Sequence, residues 1–99
     1  MTIDDKLRAV ETLADLRSVL LEARAEPSRI IDFGVLMREQ SEADRLVREQ
    51  FPKTNATTVM EQFAQRHAAL ATSAEAANLA SHPLLILAAA RVLMQPIPE

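Results

Sequence analysis

Charge is concentrated in the first half of this chain: 20 of its 25 charged residues lie within the first 54 positions. The remaining 45 residues carry only Glu61, Arg66, Glu75, Arg91 and Glu99, and they hold 12 of the 17 alanines. A segment so poor in charge is ill suited to a fully solvated surface. It is expected to be interior material, covered by the charged first half or by another chain.

At 99 residues the chain is read as one domain, 1–99. Its apolar residues are largely alanine and leucine, with three phenylalanines and neither Trp nor Tyr. That composition suits close helix-on-helix packing and gives little with which to stack on bases or sugars. A single glycine argues against tight β-turns, and the five prolines read as helix punctuation. Pro27, Pro52 and Pro83 divide the chain into four segments, and Pro96 and Pro98 end it. The fold class is therefore all-α.

Helical periodicity supports one helix over about 3–24. Thr2 caps it, and Asp5 stands at capping-box spacing. Ile3, Leu7, Val10, Ala14 and Leu21 form one apolar line, with Leu13, Leu16 and Leu20 beside it. Over 30–50 the β-prone cluster Ile30, Ile31, Phe33, Val35 and Leu36 and the helix-weakening Gly34 predict a helix that is kinked or broken, clean only after Ser41.

The third helix is expected over about 59–80, opened by Thr58 and Glu61 in the T-x-x-E arrangement. Met60, Phe63, His67, Leu70, Ala74 and Ala77 are spaced 3, 4, 3, 4, 3, the pattern of a coiled-coil-like seam. Ala64, Ala68 and Ala71 beside it admit a close neighbour. His67 lies in that seam and is read as a partly buried histidine satisfied by a backbone carbonyl or by a polar group across the interface; the alternative is a register or pH-sensing device, facing its own symmetry mate in a dimer, where protonation repels. The fourth helix, about 84–95, follows Ser81-His82-Pro83 and is apolar nearly all round, as a helix buried on most sides must be.

Catalytic chemistry has little to stand on. No glycine-rich phosphate loop or nucleophile elbow is present. The chain has no cysteine, and its two histidines are 15 positions apart with no ligand partner at i+3 or i+4. No catalytic residue, cofactor or metal is assigned. Net charge −3 and a pI near 5.4 disfavour nucleic acid. The apolar run 84–90 is too short to span a bilayer. The acidic N-terminus lacks the basic and apolar regions of a secretory signal, so a cytoplasmic protein without a membrane anchor is expected.

These readings converge on three to four antiparallel helices forming a hairpin or bundle. The seam and the last helix present more apolar surface than the first helix can cover, so a homodimer, a protein partner, or both are expected. The expected interface is Met60, Phe63, His67, Leu70, Leu84, Leu87 and Leu93. Mixed charges from Glu22 to Glu49 form a solvated face that is also suited to steering a charged partner. The function expected is non-enzymatic: a protein-binding regulator or chaperone-like adaptor that sequesters a larger protein. The alternative is a small structural or accessory subunit of a larger assembly, such as a phage or secretion component.

Overall fold

A computed structural model describes residues 2–25 and 30–94 of the chain. These residues form six helices and no strand: α1 Ile3–Arg8, α2 Leu13–Arg24, α3 Phe33–Gln50, α4 Ala56–Arg66, α5 Ala68–Ala76 and α6 Pro83–Met94. The all-α expectation holds. Two of the expected helices are each divided in two, for identifiable reasons, and the bounds of the others differ.

α6 is the centre of the molecule. Leu85 to Ala90 are all buried, and α1, α2, α3 and α4 pack around them. Ala88, Ala89 and Ala90 let these neighbours come close to the α6 backbone. The apolar stretch of α6 is thus covered from within. α3 and α4 close over α6 alongside the first segment. The Cα radius of gyration, 12.6 Å, matches the roughly 13 Å of a compact domain of about 100 residues.

The helix expected over 3–24 is two helices. Thr2 and Asp5 form the capping box at the start of α1, as expected. A second box follows, with Asp15 N–H donating to the Thr12 hydroxyl at 3.1 Å. The Asp15 carboxylate in turn accepts from the amides of Glu11 and Thr12, both at 3.1 Å. These bonds restart the helix and turn the chain between Ala9 and Thr12, which places Val10 in the core. Lys6 pairs with Glu22 across α1 and α2 at 2.7 Å. Arg91 of α6 donates to the Arg8 carbonyl at 2.8 Å, satisfying an acceptor at the open end of α1.

α3 is one continuous helix, not broken at Gly34 or Ser41. Asp32 caps it by accepting from Val35 N–H at 2.8 Å, and the helix passes straight through Gly34 and Ser41. Pro27, Ser28 and Arg29 lie outside the described residues. α4 starts at Ala56, capped by Asn55 rather than Thr58: the Asn55 side chain accepts from Thr58 N–H at 2.9 Å. Asp44 of α3 accepts from Ala56 N–H at 3.2 Å and fixes the start of α4 against α3.

The second departure is at His67. The helix expected over 59–80 breaks there, with His67 at φ −136° and ψ 56°. His67 N–H still donates to the Phe63 carbonyl at 2.8 Å, and Ala71 N–H donates to the His67 carbonyl at 3.0 Å. Between them the amides of Ala68, Ala69 and Leu70 find no acceptor among the described residues, and no side chain caps α5. An unbroken helix would pair them with the carbonyls of Ala64, Gln65 and Arg66, each bond worth about 0.5–1.5 kcal/mol. What outweighs them is packing. The bend lays α5 on α2 and α4 and buries Leu70 and Ala74. The heptad line from Met60 to Ala77 therefore does not run along one helix.

α5 closes with Asn78 in the left-handed region, φ 56°. Leu79 N–H donates to the Ala74 carbonyl at 2.8 Å and Asn78 N–H to the Glu75 carbonyl at 3.0 Å, a Schellman ending with Leu79 buried behind it. α6 then begins at Pro83. His82 Nδ1 accepts from Leu84 N–H at 3.1 Å, and His82 Nε2 lies 3.0 Å from Asp4 Oδ1 of α1. The expected tail from Pro96 lies outside the described residues, as does Gln95.

Candidate protein-docking surface

The expected interface residues separate into two groups. Phe63, Leu70 and Leu87 are buried by their own chain, Phe63 completely. Met60, His67, Leu84 and Leu93 are partly buried, and Met60, Leu84 and Leu93 pack against the core. Met60 also lines a cleft, whereas His67 sits at the α4–α5 bend with its ring centroid 5.7 Å from that of Phe63. The structure does not gather the seven into one outward face.

The large uncovered apolar side chains lie elsewhere: Leu21 of α2, Met94 of α6 and three residues around the start of α3. Ile30, just before α3, is 91% exposed; Phe33 and Met37, in its first turns, are 76% and 48% exposed. Positions 33, 37, 40 and 44 are spaced 4, 3, 4, so they share one side of α3. The same line continues through Gln40 and Asp44 into a cleft of about 1000 Å³. Leu36, Gln40 and Asp44 form its α3 wall, and Met60, Glu61 and Ala64 its α4 wall. Ile86 of α6 and Glu75 of α5 also border it.

Polar bonds fix this framework. Asp44 accepts from Arg48 Nε at 2.8 Å as well as from the Ala56 amide, which holds α3 to the start of α4. Ser81 donates to Glu39 Oε1 at 3.0 Å and holds the turn before α6 to α3. On the outer face of α3, Arg45 bridges Glu42 and Glu49, the latter at 2.8 Å. The Arg45 hydrogen bonds hold the Glu42 carboxyl below its usual range. Glu61 and Glu75, both exposed, engage no cation among the described residues. The cleft rim thus carries negative charge beside an apolar strip.

The remaining surface offers less. A shallow depression of about 530 Å³ joins the end of α1 to the end of α6, bordered by Arg8, Phe51, Arg91 and Met94. No described polar or charged side chain is buried, and no described group of His, Asp and Glu is placed to hold a metal. No described helix is long and apolar enough to cross a membrane.

Sequence reasoning missed Phe33 and Met37 because it weighed the β propensity of the stretch around them. Their signal was positional. They lie four residues apart with Gly34 and Arg38 following them, an apolar pair on one helix face.

No family model, curated protein or solved structure matches the chain.

Proposed function

We propose that this chain is a non-enzymatic protein-binding regulator or adaptor that holds a helical segment of a larger protein on the α3 side of the cleft. One observation carries the reading. Ile30, Phe33 and Met37 stand exposed in a chain whose core closes without them. Large apolar side chains lined up on a helix face beside a groove are the features with which amphipathic helices are bound. Glu61 and Glu75 on the rim favour a segment whose apolar face is flanked by Lys or Arg. Met60, expected from the sequence to lie at the interface, belongs to this surface as part of the cleft wall.

The test is site-specific photo-crosslinking from positions 33 and 37 in the source cell. The expected result is one crosslinked protein, lost in the Phe33→Asp/Met37→Asp variant while its circular dichroism is unchanged. Equal capture by the wild type and that variant would reject the reading.

A further inference from the structure

We infer that the bend at His67 is a hinge through which two copies of this chain exchange α5 and α6, forming a domain-swapped dimer. The inference goes beyond the docking reading and does not use the α3 surface.

Nothing in the local sequence demands a bend. Arg66, His67 and Ala68 include neither Gly nor Pro, and the six heptad positions continue through them without a skip. At the bend the amides of Ala68, Ala69 and Leu70 lie opposite no acceptor among the described residues, and no side chain substitutes. Straightening would pair them with carbonyls already in line in α4. Local preference and tertiary packing therefore oppose each other at a single residue.

The packing that wins is transferable. α5 touches α2 and α4, and α6 touches α1, α2, α3 and α4, but among the described residues α5 and α6 do not pack on each other. Everything after the hinge is held by what precedes it. A second copy presents the same α1–α4 surface, so α5 and α6 of one chain can dock on the other with the contacts away from the hinge kept. The exchange adds the helical hydrogen bonds at 68–70. It also brings two continuous helices, Ala56 to Ala76, alongside each other. The line Met60, Phe63, His67, Leu70 and Ala74 then runs along one helix. Exchange of identical elements is a low-cost route to a closed two-fold dimer, opposed chiefly by the entropy of association.

Two substitutions at the hinge push in opposite directions. His67→Ala raises helix propensity at the bend, and a dimer contains it twice, so it should tighten dimerisation about tenfold. Ala68→Pro suits the bent form, because position 68 is exposed, opens α5 and donates no hydrogen bond there. In a straight helix the proline ring at position 68 clashes with the Ala64 carbonyl.

The experiment is light scattering over a dilution series, after refolding at high concentration, for the wild type, both variants and the double variant. The expected result is a concentration-dependent dimer for the wild type, a tighter one for His67→Ala, and monomers for the two proline variants. The chain has no cysteine, so Glu61→Cys/Glu75→Cys can be spin-labelled cleanly. Diluted with unlabelled chain, the labelled dimer should show a separation of about 21 Å between the two backbone sites, that of a straight helix.

A dimer that Ala68→Pro leaves intact would overturn the hinge, as would a label separation equal in monomer and dimer. A His67→Ala chain that stays monomeric throughout would overturn it too, and that arm stands if the proline variants fail to fold. A dimer abolished by Phe33→Asp but not by Ala68→Pro would place self-association on the α3 face and likewise overturn the hinge.

Discussion

α6 and the start of α3 are both apolar and both helical, yet one is enclosed by its own chain and the other faces outward. Leu85 to Ala90 are covered by four other helices, whereas Phe33 and Met37 remain exposed. The difference shows that apolar content measures how much surface a segment needs hidden, and topology decides whether its own chain hides it. The closed region, α6, lies in the charge-poor half. The open apolar surface stands in the charge-rich half, where it is easily overlooked among the ion pairs of α3.

Truncation of one large side chain in each region tests the contrast most strongly. Leu85→Ala should cost about 2–5 kcal/mol, read as a lowered denaturant midpoint with an unchanged slope. Phe33→Ala removes a larger side chain and should stay within about 0.5 kcal/mol, because the side chain is mostly open to solvent. Equal losses would show that α3 is covered in solution, as by a second copy. The cover over α6 can be weakened next. Thr12→Ala removes the hydroxyl that caps α2 and should cost about 1 kcal/mol, a drop of roughly 4–8 °C in Tm for a domain of this size.

Acid probes the same cover. The Thr2 amide and hydroxyl hold the Asp5 carboxyl below its usual range, and the amides of Glu11 and Thr12 do the same for Asp15. With folded values below unfolded ones, the stabilisation from both boxes is complete above about pH 4 and is lost as pH falls through the folded values. Asp15→Asn should flatten that acid limb in a pH series of urea melts. The smallest gain lies on the open side. A Cβ at Gly34 would come 3.4 Å from the Asp32 carboxylate and otherwise meet open space. Gly34→Ala should stabilise α3 by about 0.4–1 kcal/mol, seen as a rise of a few degrees in Tm.

Much of the fold was legible in the sequence, and what was not had physical causes. The Thr2 box, the α6 start at Pro83 and the buried character of α6 follow from local chemistry, and all are present. The Thr12 and Asp15 box was equally local, but the apolar lines on either side align well enough to suggest one helix across it. The His67 bend was not legible, because no residue there asks for it. It arises from Leu70 and Ala74 finding cover, a tertiary effect that overrides helix propensity. Of the expected interface, Met60 borders the cleft while Phe63, Leu70 and Leu87 lie inside, since periodicity identifies a buried side without naming what buries it.

That α6 is central also bears on how the protein is made. Synthesis delivers α1 to α5 first, and the element they surround emerges after them. Until it leaves the ribosome, the walls of the core have no filling and their greasy sides stay open, a state that chaperones recognise. A nascent chain interrupted before Pro83 lacks the helix around which the other helices pack.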